Sequence, residues 1–410
     1  MRNTVDSDTY RVGVRHAFSP SSTLIGSYIH QDRLTGARFS QAPEFGLGIP
    51  GLDGVVGIPE RAKGAEVQHI LRSDRFNLRT GIGYFDVNRT ESVDQTLLLP
   101  LPSPPFPPGS TAPLPQPTLV TNASSRHLNA YAYGNLALSS NAQLLLGASY
   151  DSIDGNQGSG SKRQFNPKLG LTWNLTPATT VRAAAFRVLK RTLITNQTLE
   201  PTEVAGFNQF YDDANFTESK RYGLAVDQKF SATQYAGLEA SKRATVVPWT
   251  CANPVCGALG DRNANWDEHL YRAYAFWSPH PSWALRADYL LERFARDPAF
   301  TGGTARDLDS QRLQLGVRYF QPAGLSAALT STYWRQKGEF GDNNAFQSGN
   351  ENFWTTDASV SYRLPKRMGF VAVGVSNLFD KQFRYLDTDG ASPTIQPRRM
   401  IFAKVTFVLP

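Results

Sequence analysis

The sequence predicts an all-β protein, an antiparallel transmembrane β-barrel with about 17 strands within these 410 residues. Three observations support this fold class. Segments of about ten residues alternate between apolar and polar side chains, and short and long connections alternate between these segments. No run of about 18 apolar residues could form a membrane-spanning helix. We therefore expect a barrel in the bacterial outer membrane.

The alternation is clearest in residues 283–293, which read WALRADYLLER. Successive side chains of a strand point to opposite faces. One face of this segment therefore carries Trp283, Leu285, Ala287, Tyr289 and Leu291. The other face carries Arg286, Asp288 and Glu292. We expect the apolar face to meet lipid and the polar face to meet a wet lumen.

The same rule identifies lumen-facing candidates in other strands. They could hold a plug domain by salt bridges or fill a narrow wet pore, and the simpler interpretation is that they solubilise the lumen and pair across strands. An acid–base role for Asp288 is disfavoured, because Arg312 and Arg318 oppose it in a charge ladder. The candidates are Arg79, Asp227, Lys229, Glu239, Arg286, Asp288, Glu292, Arg312, Arg318 and Arg363.

The connections between the predicted strands differ in length in a regular way. Short turns, as at residues 20–22 and 139–141, alternate with long loops, and an outer-membrane barrel places its short turns in the periplasm. Residues 89–124 form a proline-rich loop that we expect to be extracellular, extended and poorly ordered. The other predicted long loops are 33–64, 155–163, 191–216, 248–264, 296–306, 338–350 and 381–394.

The strand count predicts that part of the barrel lies upstream of residue 1. Bacterial single-chain barrels have an even number of strands, so about 17 strands suggest a larger even-stranded barrel. The first residues, MRNTVDSDTYRVGV, are not a signal peptide, which export would require. We expect residues 1–410 to form one N-terminally incomplete barrel domain without a plug domain.

Net charge and cysteines narrow the function further. The net charge is +7, but the basic residues are scattered, so we expect no nucleic-acid partner. Cys251 and Cys256 lie in the segment CANPVC, where a local disulfide is favoured outside the cytosol and free thiols are the alternative. No further ligand pair stands at a zinc spacing, so metal binding is not expected.

The sequence offers little sign of catalysis. It contains no GxSxG, HExxH or phosphate-binding loop, and its six histidines show no metal spacing, so we expect neither an enzyme nor a cofactor. One loop could contact a cation or a small ligand, although most such carboxylates are structural. Its candidate residues are Asn208, Tyr211, Asp212 and Asp213.

The C-terminal stretch resembles the end of TonB-dependent outer-membrane receptors. Residues 373–380 read VGVSNLFD, followed by KQFRYLD and then PRRMIFAKVTFVLP. The family motif falls on Asn377, Leu378, Phe379 and Asp380. Two departures are that no plug domain or TonB-contacting box is visible, and that the chain ends in Pro410 instead of an aromatic residue.

This resemblance implies uptake of a scarce ligand, such as a ferric siderophore. It also implies outer-membrane lipids, the barrel-assembly machinery, the TonB complex and a small-molecule ligand as partners. A second stretch, residues 166–230, resembles barrels fused behind tetratricopeptide repeats. The alternative is therefore a plugless barrel that acts as a secretion pore or as a scaffold.

Overall fold

The structure is a computed structural model that describes most of the chain as strands. In the described residues it contains two single-turn 3-10 helices and no α-helix, and none of its helices has the length and apolarity to cross a membrane. The described ranges are residues 2–43, 50–103, 105–155, 160–191, 194–210, 213–251, 260–297, 305–340, 347–386 and 398–408.

Eighteen strands belong to one hydrogen-bonded sheet, and two short strands form a separate ribbon. This confirms the all-β antiparallel fold, for which about 17 strands were expected. The strands are β1 (Arg2–Ser19), β2 (Ser22–Gln41), β3 (Gly51–Arg72), β4 (Phe76–Pro100), β5 (Thr111–Pro115), β6 (Leu119–Ala137), β7 (Ala142–Gly155), β8 (Lys162–Thr176), β9 (Thr179–Leu189), β10 (Glu203–Val204), β11 (Phe207–Asn208), β12 (Glu218–Lys229), β13 (Gln234–Cys251), β14 (Gly260–His280), β15 (Trp283–Arg296), β16 (Ala305–Phe320), β17 (Leu325–Phe340), β18 (Gln347–Arg363), β19 (Gly369–Ser376) and β20 (Met400–Phe407).

The chain divides into two compact units. The first unit comprises Met1–Gly134, Gly147–Asn166 and Arg191–Pro201. In it, β1 pairs with β2, β2 with β3, and β3 with β4, each time antiparallel. A small apolar cluster lies on one face of these strands, and it consists of Ile29, Ala62, Phe85, Val87 and Ile194.

The second unit comprises Asn135–Leu146, Pro167–Lys190 and Thr202–Pro410. Its ladder begins with β8 and β9, continues from β9 to β12, and then runs through neighbouring strands in chain order to β20. Its apolar cluster consists of Ala184, Phe186, Val188, Val204, Phe207 and Ala225.

The two faces of the strands differ as the alternation predicts. In the first unit, Val12 and Val14 of β1 are each 65% exposed, whereas Ile29 on the opposite face is buried. In the second unit, Trp283 and Tyr289 are exposed, whereas the Asp288 carboxylate between them in sequence is buried. We call these the apolar face and the polar face. Large exposed apolar side chains are suited to lipid and not to water.

Several of the predicted long loops are shorter than expected, because the flanking strands continue into them, as they do at 248–264 and 338–350. Residues 33–64 contain the end of β2 and the start of β3, whose register runs from Ser22 opposite Leu71 to Gln41 opposite Leu52.

The proline-rich stretch of residues 89–124 is also largely β-structure and not a poorly ordered loop. It holds the end of β4, all of β5 and the start of β6. The prolines of β5 lie in a short ladder with β4, where Pro113 is opposite Leu98 and Pro115 opposite Thr96. That this hairpin is extracellular stays a prediction.

Candidate functional site

The polar face of the first unit is covered by part of its own chain. After β9 the chain continues into residues Arg191–Pro201, which we call the clasped segment. The Glu66 carboxylate of β3 accepts hydrogen bonds from the Thr198 hydroxyl at 2.6 Å and the Leu199 amide at 3.0 Å. Gln68, two residues further along the same face, donates to the Leu199 carbonyl. The clasped segment is thus held through its backbone as well as its side chains.

Arg191 is the charged centre of this arrangement and is 1% exposed. Its guanidinium lies 2.9 Å from the Glu200 carboxylate and 3.6 Å from that of Asp151. Glu200 also accepts a 2.6 Å hydrogen bond from the Tyr133 hydroxyl. Burial alone would lower the pKa of Arg191, but the charges of Glu200 and Asp151 hold that pKa above its ordinary value. A buried charge needs such partners.

Asp151 joins Arg191 to a second set of buried polar side chains. Its carboxylate lies 2.8 Å from the His127 ring nitrogen Nε2 and accepts hydrogen bonds from Asn129 at 2.9 Å and from Asn166 at 2.6 Å. The His127 ring stacks on Phe85 with 5.5 Å between centroids. Each member of this network is buried and bonded to another member, so the network is suited to holding a structure in place.

Close packing completes the contact between the clasped segment and the strands. Ile194 enters the apolar cluster beside Phe85 and Ile29. A Cβ atom added at Gly64 would lie 2.8 Å from the Phe85 ring and 3.1 Å from the Ile194 side chain. Glycine at this position therefore makes room for the segment.

In the second unit, a small hairpin lies on the polar face. Strands β10 and β11 are joined by Ala205 and Gly206, which both have positive φ angles, +49° and +82°. This is the geometry of a tight two-residue hairpin turn, in which glycine is favoured at the second position.

Phe207 of this hairpin is the side chain that anchors it. Its ring is 1% exposed, and the guanidinium groups of Arg182 and Arg221 lie 5.5 and 5.6 Å from its centroid. A Cβ atom at Gly223 would lie 2.3 Å from the ring, so only glycine leaves space for it. Cation–π contacts with both arginines orient the ring.

The predicted loop candidates are partly engaged in structural contacts. Asp213 receives two hydrogen bonds from Arg243, at 2.6 and 2.9 Å, and Arg243 also pairs with Glu268 at 2.7 Å. Asn208 bonds to the backbone of Phe210 through both ends of its amide. Tyr211 and Asp212 lie outside the described residues. Ligand binding by this loop stays a prediction.

Three of the lumen-facing candidates come together at Asp288. Its carboxylate is 0% exposed and lies 3.1 Å from Arg312 and 3.4 Å from Arg286. A third guanidinium, that of Arg272, lies 2.6 Å from it and was not among the candidates. The expected charge ladder thus takes the form of a compact cluster.

The other candidates fall into two groups. Asp227 pairs with Arg182 at 2.8 Å, and Glu239 pairs with Arg221 at 3.6 Å. These carboxylates belong to the surroundings of Phe207. The remaining candidates are exposed in the structure, and a lumen-facing position stays a prediction for them: Arg79, Lys229, Glu292, Arg318 and Arg363.

The motif at residues 377–380 forms a turn after β19. The side-chain amide of Asn377 accepts a hydrogen bond from the Lys381 backbone N–H at 2.9 Å through its oxygen. Its nitrogen donates to the Lys381 carbonyl at 2.8 Å. The backbone N–H of Leu378 donates a hydrogen bond to the carbonyl of Thr356 in β18, and Phe379 is exposed. The Asp380 carboxylate accepts from the backbone amide of Arg399, just before β20, at 2.9 Å. The motif therefore stabilises the connection between the last two strands.

The predicted disulfide cannot be placed in the structure. Cys251 ends β13, but its side chain and all of Cys256 lie outside the described residues. The disulfide and the free thiols both stay predictions.

The network around Arg191 was missed by the sequence reasoning. A signal was present, since Glu66 and Gln68 alternate with apolar residues in β3, as His127 and Asn129 do in β6. That pattern assigns these residues to a polar face. It does not indicate that Arg191, in a predicted loop, would lie against them.

Comparison with known proteins finds solved structures of similar fold. Three similar solved structures are the ferric-catecholate import receptor Fiu of E. coli K12, the ferric citrate transporter FecA, and BauA, the ferric preacinetobactin receptor of Acinetobacter baumannii. Their TM-scores are 0.58, 0.64 and 0.61, each at 14% sequence identity. Each match covers 98% of this chain.

The chain spans less than two thirds of each of these proteins, namely 64%, 61% and 63% of their lengths. A search of curated protein sequences finds no match. A model of the family described as TonB dependent receptor-like, beta-barrel matches residues 2–219. Since that match covers more than half of the 410 residues, the chain belongs to the family of TonB-dependent receptor-like β-barrels of the bacterial outer membrane.

Proposed function

We propose that this chain is the barrel of a receptor that takes up a scarce ligand, such as a ferric siderophore, across the outer membrane. The observation that carries the proposal is the family match over residues 2–219. The three structures named above support it, because they are of receptors or transporters for ferric ligands. The ligand of this protein is part of the proposal, since these likenesses are at 14% identity.

The two faces of the strands fit such a role. The apolar face presents side chains that lipid would cover, including Val12, Leu224 and Leu238. The polar face carries the charged residues that a wet transport path needs. We further propose the TonB complex as the energy source and the barrel-assembly machinery as the agent of insertion. The matches give the tetratricopeptide alternative no support.

Iron uptake by the bacterium that encodes the protein tests this proposal. The gene would be deleted, and accumulation of radioactive iron would be measured under iron limitation with ferric-catecholate, ferric-citrate and ferric-hydroxamate complexes as probes. We expect uptake of at least one complex to fall about tenfold and to return when the intact gene is restored.

Two controls make the result specific. Dissipating the proton gradient or deleting tonB should abolish the same uptake, whereas diffusion of a small neutral solute should be unchanged. Equal uptake of all the complexes with and without the gene, in a strain without a second receptor for them, would overturn the proposal.

A further inference from the structure

We propose that the guanidinium groups of Arg272, Arg286 and Arg312 form a binding site for an oxyanion, a carboxylate or a phosphate group, on the polar face of β14–β16. These groups surround the Asp288 carboxylate at 2.6, 3.4 and 3.1 Å. The site lies within the second unit and involves neither the clasped segment nor the hairpin at Phe207.

The charge of the cluster is unbalanced. Within the part of the chain that the structure describes, Asp288 is the one carboxylate within 4 Å of these guanidinium groups. Three positive charges against one negative charge leave an excess of two. Glu292, which is exposed on the same face of β15, would reduce the excess to one when it is ionised. The cluster therefore stays positive in either case.

Neighbouring carboxylates do not remove this excess, because they have other partners. Glu268 of β14 is bound to Arg243 by two hydrogen bonds, at 2.7 and 2.8 Å. Asp227 of β12 is bound to Arg182 at 2.8 Å, and Glu239 of β13, which is opposite Arg272 in the ladder, pairs with Arg221 at 3.6 Å. An incoming anion would therefore meet a positive surface.

The guanidinium groups keep hydrogen-bonding capacity for a ligand. Each has five N–H donors in a planar fork, a geometry that matches carboxylates and phosphates. The side chains of Arg272, Arg286 and Arg312 are 35%, 42% and 29% exposed, so a ligand can reach them. A bound oxyanion would supply acceptors to the N–H groups of these side chains that face solvent.

The cluster is also held in place before any ligand arrives. Asp288 fixes each guanidinium from one side, and ordered donors bind an anion more tightly than mobile ones. In addition, each guanidinium lies over an aromatic ring, Arg272 over Tyr274 at 4.9 Å, Arg286 over Phe276 at 5.7 Å and Arg312 over Trp334 at 5.8 Å.

Space for a ligand is available beside Arg286. In the ladder its neighbour on β16 is Gly316, whose own neighbour on β17 is Thr330. A Cβ atom added at Gly316 would meet no atom closer than 3.7 Å. The absence of a side chain there leaves an opening on the polar face next to a partly exposed guanidinium.

This inference rests on the proposed function in one respect, because the molecule that bears the oxyanion would be the imported ligand. Binding itself requires no transport. Titration calorimetry on the full-length purified protein at low ionic strength would use pyrophosphate and citrate as probes and sucrose as the neutral control. We expect saturable binding of at least one anion, none of sucrose, and weakening by added salt.

The double variant R286Q/R312Q should weaken that binding at least about tenfold, because it removes two charged donors. R293Q is the matched control, since Arg293 is on the same strand but forms an exposed pair with Asp309 at 3.8 Å. Unchanged circular dichroism would show that both variants fold.

Absence of saturable anion binding to the wild type would overturn the proposal, as would equal weakening by R286Q/R312Q and R293Q. Binding of an acidic peptide without binding of either small anion would also overturn it. None of these outcomes depends on iron uptake, so this inference and the proposed function can fail separately.

Discussion

The polar faces of the two units hold their charges in different ways. In the first unit, Arg191 is fully buried against Glu200 and Asp151, and the chain itself covers the network. In the second unit, one buried carboxylate, Asp288, holds three guanidinium groups that remain partly exposed. Both arrangements come from the same alternation of polar and apolar residues.

This contrast shows that exposure separates a structural cluster from a possible binding cluster. A buried network whose groups bond to one another has lost its contact with water, so it can fix a segment but has little left for a ligand. A partly exposed cluster with more cations than anions keeps donors and positive charge for an anion. Stability measurements on variants of the full-length protein test this contrast.

Replacing Arg191 by Met should have the largest effect on stability. It would leave the buried carboxylates of Glu200 and Asp151 without their cation, which costs about 3–5 kcal/mol. Denaturant unfolding in detergent would measure the loss, and hydrogen exchange should show the greatest increase in residues 191–201. The double variant R191M/E200Q should lose less than the sum of the two single variants. Additive losses would contradict a coupled buried pair.

Replacing Phe207 by Ala should destabilise the hairpin by about 3 kcal/mol, because a buried ring that contacts two arginines is removed. Limited proteolysis would detect earlier cleavage around residues 203–210. Phe106→Ala, in an exposed connection, is the matched control and should leave the cleavage pattern unchanged. Equal sensitivity of the two variants would show that the hairpin is not anchored by Phe207.

Replacing Asp288 by Asn should cost about 2 kcal/mol, less than the loss of Arg191. The charge-assisted hydrogen bonds of Asp288 would weaken, but the partly exposed guanidinium groups can turn toward water. The same unfolding experiment would measure the change. A loss as large as that of R191M would mean that the two clusters stabilise the fold equally, and the Asp288 cluster would then be as structural as the Arg191 network.

Replacing Arg61 by Gln should leave the free energy of unfolding almost unchanged, the smallest effect of the four. Arg61 pairs with Asp32 at 2.9 Å, but its side chain is exposed, and water screens such a pair. This variant gives the baseline for the larger effects. A clear loss of stability, measured in the same way, would show that exposed ion pairs also stabilise this protein.

Much of the fold could be predicted, because a strand carries its own face pattern. Trp283 and Asp288 fall on opposite faces as expected, and the alternation alone required it. The extents of β2 to β6 were harder to predict. Prolines and loop-forming residues indicate a loop, whereas cross-strand hydrogen bonds to a partner keep the chain extended, as they do for residues 111–115.

The candidate sites were predicted less completely. The alternation identified Arg286, Asp288 and Arg312 as residues of one face, but it missed Arg272, which the register places within reach of Asp288. Register depends on how strands are aligned, and a single strand does not encode it. Asp213 looked available for a ligand until the structure placed Arg243 beside it.

Local sequence patterns account for where most strands lie and which residues share a face, because both depend on residues close together in the chain. Which charges meet depends on the tertiary structure. Glu66 and Leu199, which hydrogen-bond across the first unit, are 133 residues apart in sequence. No local pattern links them, because their contact exists only once the strands have paired and the clasped segment has folded onto them.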